Sequence, residues 1–438
     1  MRRIKFFPAC WAGTTRLAAP FLRLLLRRRA RRGKEILSRL PERRGIDPTP
    51  RPPGRLIWLH AASVGETMSI LPVLTELFAR APDAHVLLTT GTVTSATLLA
   101  RRLPTLGCHN RVLHRFVPLD VPRWVTFFLE HWRPDVAGFV ESELWPNLLA
   151  GCRRRGIPLV LINARLSPRS FSWWRRVPSL ARHMLEGVTE VQPQTNADAA
   201  RFRALGAPRV GPPQNLKLAA PPLPVDAAEL ARLRETLSGR PVWVAASIHP
   251  PEDSLIRATH RLLAARHPGL LTIMVPRHPE RGAAIAAATT DIPVTSRAAE
   301  EMPPQTGIWI ADTLGELGLF YRLAGIAFVG RSLRPPGGGQ NPLEPAKLGC
   351  AVVVGPHTGN FAAAVAMLEA EGALARVTDA AELATWVDAM LRDPERRAAM
   401  ARAGKMACDR GANLPGQIAA RLLSLASAQP EKARWETY

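Results

Sequence analysis

Short apolar runs recur along this chain, each followed by a stretch with apolar side chains returning at helical spacing. In the first half the runs lie at residues 56–59, 86–89, 136–140 and 159–162, with weaker candidates at 191–193 and near Val210. Runs of this length without polar alternation predict strands buried on both faces, as in a parallel sheet. The alternation resumes at residues 242–245, 271–275, 307–310, 326–329 and 351–354. From about Ala380 the pattern is helical, and residues 435–438 are expected to fray. Strands alternating with helices in this way predict Rossmann-like α/β architecture.

Two proline-rich stretches interrupt the pattern. Residues 41–55 read as a linker and residues 211–226 as a hinge between two halves. The expected organisation is a basic, membrane-associating N-terminal segment with linker (residues 1–54) and two Rossmann-like domains. These cover residues 55–215 and 216–438, the second including the C-terminal helices, and they face a central cleft. A chain of 438 residues is long enough for two such cores.

Charge narrows the partners. Lys and Arg number 58 against 36 Asp and Glu, a net charge of +22, so the surface seeks anions: nucleic acid, anionic lipid or phosphorylated substrates. No zinc-finger spacing and no aromatic-rich basic motif supports specific nucleic-acid recognition. Cys10, Cys108, Cys152, Cys350 and Cys408 form no CxxC pair, which fits reduced thiols rather than a disulfide frame or zinc site. Residues 4–26 are apolar but interrupted by Arg16 and Arg23, and then give way to RRRARRGK. That is a poor spanning helix and a better interfacial anchor, its arginines on anionic headgroups.

Candidate chemistry gathers where strands should end, the edge at which ligands bind in open α/β sheets. His60–Glu66 is a strand-to-helix turn presenting Ser63, Gly65 and Glu66, and ESELWPN supplies Glu141 and Glu143 after another strand. One of these carboxylates could take a proton from an acceptor hydroxyl. Each could equally sit in a first helical turn to complement the dipole. In the second half the strand ends offer Ser247 and His249, Arg277 and His278, Gly315 and Glu316, then Gly330 and Ser332. GGGQNPLEPAKLG adds Gly338, Gly339, Asn341 and Glu344 at a predicted helix start. Glycines, backbone N–H groups and Arg277 suit a phosphate, and an Asn/Glu pair suits sugar hydroxyls.

WLHAASVGE, ESELWPN, INARLSPRS, RHPER, DTLGELGLFY, FVGRSL, GGGQNPLEPA and GPHTGNF occur in that order. Together they resemble the 3-deoxy-D-manno-octulosonic acid (Kdo) transferases of lipopolysaccharide assembly, over nearly the whole chain. The resemblance implies a GT-B glycosyltransferase fold, CMP-Kdo as donor, a lipid A precursor as acceptor, and work at the cytoplasmic face of the inner membrane without metal or cofactor. It also implies that Glu66 is the base of an inverting transfer, assisted by an acid of the ExELWP motif. Gln340 stands where the family commonly has His, and Pro251 where Gly follows HP, so contacts to the nucleotide are expected to differ there. The alternatives are a GT-B transferase or epimerase using a UDP-sugar, and a non-catalytic basic protein that binds membrane.

Overall fold

A computed structural model describes residues 6–107 and 109–428. Cys108 and the expected frayed end at 435–438 lie outside the described residues. The chain divides into two compact units, one running to Ala220 and resuming at Gly411, the other spanning Pro221–Arg410.

The first unit is built on a six-stranded parallel sheet: β1 (Leu56–Ala61), β2 (His85–Thr90), β3 (Val112–Phe116), β4 (Val136–Val140), β5 (Leu159–Ala164) and β6 (Glu190–Pro193). The strand order is β3-β2-β1-β4-β5-β6. Alternate residues of β1 enter different cores, which is why the run is apolar throughout. Ile57 and Leu59 pack in one core with Ile70 and Leu74 of the helix Val64–Arg80. Leu56 and Trp58 pack in the other with Phe128, Leu129 and Trp132.

The second unit carries seven strands: β7 (Val242–Ile248), β8 (Leu271–Pro276), β9 (Val294–Ser296), β10 (Gly307–Ile310), β11 (Ile326–Val329), β12 (Ala351–Val354) and β13 (Leu374–Arg376). Their order is β13-β12-β11-β7-β8-β10-β9, all parallel. Every expected strand is present, except that Val210 forms an isolated bridge to Val191. The strands without an apolar run, β3, β9 and β13, all stand at sheet edges. An edge strand is open on one side and tolerates polar residues such as His114 and Arg115 within β3.

Three boundaries differ from the sequence reading. The helix Leu414–Ser427 belongs to the first unit, because Ile418, Ala419 and Leu422 complete the core around Ile57 and Leu59. Residues 216–219 belong there too rather than to a hinge, with Leu216 buried in the same core. Residues 41–55 are a fastened strap, not a loose linker. Arg43 is 3% exposed, pairs with the buried Glu35 at 3.1 Å, and donates to the carbonyls of Gly91 (2.7 Å) and Val117 (3.2 Å).

The N-terminal helix Phe6–Arg31 is tied down on one side. Trp11 Nε1 donates to Asp120 (2.8 Å) and Asn147 donates to the Thr15 hydroxyl (3.1 Å). Leu17, Phe21, Leu24 and Leu25 stand exposed on this helix. Among the described residues no helix is long and apolar enough to cross a membrane.

Candidate functional site

In each sheet the strand order reverses beside the first strand of its unit, at β1/β4 and at β7/β11. The crevice beyond such a reversal is where open α/β sheets bind ligands. Non-glycine residues with left-handed backbone mark these strand ends: Glu141 after β4 (φ 60°), Asn163 in β5 (φ 53°), Ser247 in β7 (φ 56°) and Arg331 after β11 (φ 58°). Such conformations cost energy and persist only where the surroundings enforce them.

At β1/β4 the SVGE turn folds as a capping box. Ser63 is the N-cap of the helix Val64–Arg80, and its oxygen accepts Glu66 N–H. In return Glu66 Oε1 accepts the Ser63 hydroxyl (2.7 Å) and Oε2 accepts Ala62 N–H (2.8 Å). The capping role and a basic role are therefore compatible. Each carboxylate oxygen has a second lone pair, and the cap fixes the group's direction. A side chain at Gly65 would meet nothing within 4 Å, so the glycine leaves the turn's outer face open.

Burial raises the Glu66 pKa above the usual carboxylate range, against the two hydrogen bonds, and the negative charges of Glu141 and Glu143 add to the rise. Glu141 pairs with Lys217 at 3.0 Å. Glu143 lies 3.3 Å from His60 Nε2 and accepts Trp145 Nε1–H. Burial pushes its pKa up, but the hydrogen bond and charge of His60 together with the Trp145 hydrogen bond outweigh this and take it below the usual range. The three predicted acids are thus brought together.

Lys217, Asn163 and His60 escaped the sequence reading. Lys217 was hidden in a proline-rich stretch. Asn163 ends an apolar strand, 2% exposed, with Oδ1 accepting Leu216 N–H (3.0 Å) and Nδ2 without a partner. The spacing of INA against its polar neighbour was the available signal. The sequence reading starts the strand-to-helix turn at His60, whereas the residue lies within β1 and is wholly buried.

At β7/β11 the predicted groups divide. His249, the N-cap of the helix Pro250–Ala264, accepts the Gln340 amide at Nε2 (3.3 Å) and meets the His278 ring edge-on at 6.2 Å. Burial lowers its pKa, and Arg331, His278 and Arg277 reinforce this against Glu252, keeping the ring neutral and able to accept. Arg277 and His278 are exposed. Asn341 donates to Glu344 (3.1 Å), and Glu344 is held above the usual carboxylate range by burial, opposed by Asn341 and the charges of Arg277 and Lys347. These residues form one cluster.

Others are occupied within the fold. Ser332 is wholly buried, and its hydroxyl donates its one hydrogen to the Val329 carbonyl (2.6 Å) while accepting Gly355 N–H (2.8 Å), so it serves the fold rather than an open surface. Glu316 is held by Arg297 (2.7 Å) and Thr313, which keeps it ionised. Gly315, in the same turn after β10, has positive φ and open space at its α-carbon. The N–H groups of Gly338 and Gly339 donate to His357 (3.0 Å) and Arg331 (2.8 Å) carbonyls, so they do not cradle a phosphate. Gly330 is required by packing: a side chain there would come within 2.7 Å of the Ser247 carbonyl. The helix after the glycines spans only Leu343–Lys347, too short for a substantial dipole.

Glu252 organises these loops. It is 1% exposed and accepts four backbone N–H groups: His249 (3.1 Å), Arg331 (2.7 Å), Ser332 (2.9 Å) and Leu333 (3.0 Å).

Two parallel Rossmann-like sheets define an α/β protein of the GT-B class. Solved structures sharing this fold include a putative UDP-N-acetylglucosamine 2-epimerase from Listeria monocytogenes, 13% identical with a TM-score of 0.57, covering 86% of this chain and 98% of that one. The UDP-GlcNAc 2-epimerase of Neisseria meningitidis is 15% identical with a TM-score of 0.56, covering 85% and 100%. At such identities the likeness is one of fold. The family model described as 3-deoxy-D-manno-octulosonic-acid transferase (kdotransferase) matches residues 38–220. The probable mitochondrial 3-deoxy-D-manno-octulosonic acid transferase of Arabidopsis thaliana is 36% identical over 86% of each chain. The Haemophilus influenzae 3-deoxy-D-manno-octulosonic acid transferase is 35% identical over 81% of this chain and 83% of its own. This chain belongs to the 3-deoxy-D-manno-octulosonic acid transferase family.

Proposed function

We propose that the protein transfers Kdo from CMP-Kdo to a hydroxyl of a lipid A precursor, lipid IVA, in lipopolysaccharide biosynthesis, with inversion at the anomeric carbon. The observation that carries this reading is Glu66, oriented by its own capping box and kept basic by burial beside Glu141 and Glu143. Glu66 takes the hydroxyl proton as the oxygen attacks, and CMP departs with the bonding electrons. A carboxylate whose affinity for protons is raised is a better base than an ordinary one. Lys217, paired with Glu141 and 39% exposed, is suited to a phosphate group of the acceptor.

In the second unit Arg277 offsets the phosphate charge of the leaving CMP, and Asn341 with Glu344 reads sugar hydroxyls. A charged hydrogen bond from Arg277 strengthens as charge develops on the leaving group. The acceptor is a lipid, and the exposed Leu17, Phe21, Leu24 and Leu25 beside the arginines of the N-terminal helix suit the anionic cytoplasmic face of an inner membrane. Trp173, 48% exposed ahead of Arg175 and Arg176, offers a second interfacial contact.

The test is incubation with CMP-Kdo and lipid IVA, followed by mass spectrometry of the product. Addition of one or more Kdo residues is expected. Turnover of a UDP-sugar with CMP-Kdo untouched would favour the epimerase-like reading, and salt-sensitive vesicle binding without turnover would favour a membrane-binding protein.

A further inference from the structure

The transfer described above assigns no role to His60, although its ring is wholly buried at the edge of the acidic cluster. Nδ1 faces Thr89 of β2, 3.1 Å from the carbonyl and 3.0 Å from the hydroxyl, and the ring meets Phe139 of β4 edge-on at 5.6 Å. Nε2 faces Glu143 Oε2 at 3.3 Å.

These contacts favour one placement of the protons. A backbone carbonyl only accepts, so Nδ1 must carry a hydrogen, or two lone pairs would oppose each other. The Thr89 hydroxyl lies 3.3 Å from the Leu59 carbonyl, to which it donates, and accepts Trp58 Nε1–H (2.9 Å), in keeping with Nδ1 as a donor. Nε2 then meets a carboxylate oxygen that already accepts the Trp145 indole N–H. Two acceptors do not stay at that distance, so a second proton lies between them. With Glu143 acting as an acceptor towards Trp145, that proton belongs on Nε2.

We propose that His60 is a positioning residue for the transfer: an imidazolium held between Thr89 and Glu143, which fixes the Glu143 carboxylate and neutralises it beside Glu66. The charged groups facing this pair are Glu143 and Glu141 from the segment after β4 and Glu66 from the helix after β1, with Lys217 pairing Glu141. β2 and β4 present Thr89 and Phe139 to the ring. Without the cation, Glu143 becomes an unbalanced negative charge near Glu66. Glu66 then keeps its proton to higher pH and is a spent base over more of the acid range.

The kinetic part rests on Glu66 being the base, whereas the proton placement does not. Nitrogen NMR of the full-length protein labelled at histidine should show, at neutral pH, one ring with both nitrogens protonated that loses a proton in Glu143→Gln. A singly protonated ring at this position in the wild type, or no response to Glu143→Gln, would overturn the proposal. In kinetics, His60→Gln should shift the acid limb of kcat/KM upward by about 0.5–1 pH unit, and adding Glu143→Gln should move it back. A purely structural His60 would lower the rate without moving that limb, and an unmoved limb in a folded His60→Gln rejects the positioning role. Full activity in Glu66→Gln would instead reject the base assignment and leave the NMR result to decide the proton.

Discussion

The two strand-order reversals share a backbone plan and carry opposite charge. At β1/β4 three carboxylates gather, and the one at the helix start is tuned toward protonation. At β7/β11 the carboxylate at the equivalent early helical position, Glu252, is buried and bound by four backbone N–H groups, while Arg277 and His278 are exposed. The sequences look alike, a polar strand end followed by an acid in the first turn. What separates them is whether the acid's lone pairs are filled. Glu66 accepts two hydrogen bonds and keeps two lone pairs, whereas Glu252 accepts four and keeps none. Glu66 keeps the capacity to take up a proton, whereas Glu252 ties the turn after β7 to the loop after β11.

Breaking the first half of that contrast should give the largest effect. Glu66→Gln retains an acceptor for the cap but no basicity, so transfer should fall by about 10²–10⁴-fold with CMP affinity unchanged. Steady-state kinetics and calorimetry check this together. Glu252→Ala should act on stability instead. Four buried N–H groups lose their partner, and denaturant unfolding should show a loss of at least about 3 kcal/mol. A mild kinetic defect with intact stability would mean that Glu252 belongs to the chemistry.

Arg277→Ala removes the exposed cation proposed to bind the donor phosphate, so CMP affinity should weaken by about 1.5–3 kcal/mol by calorimetry while unfolding is unchanged. Ser332→Ala sharpens the same boundary from the other side. Its hydroxyl joins Val329 to Gly355, so the expected change is about 1–2 kcal/mol in stability and none in CMP affinity.

The central strands were legible because each is buried on both faces and leaves an unbroken apolar run, as in Val136–Val140. The edge strands β3, β9 and β13 were not, since an edge position does not demand such a run. The SVGE and ESELWPN turns were legible as strand ends that carry acids, and those acids do come together beyond β1 and β4. The glycine loop misled in part. Gly338 and Gly339 use their N–H groups to fasten this loop to its own start at Arg331 and to the loop after β12 at His357, contacts that the glycine pattern does not announce. Lys217 and the helix Leu414–Ser427 join the first unit through contacts across about 75 and about 360 residues respectively, which local pattern does not record.

The pH dependence of kcat/KM for transfer from CMP-Kdo tests the central claim most directly. Glu66 acts only when ionised, and its pKa is raised, so activity should fall with decreasing pH through a single limb lying above the ordinary glutamate range of about 4.3. The residual activity of Glu66→Gln should lack that limb. A limb that persists unchanged in Glu66→Gln would place the base elsewhere and contradict the account.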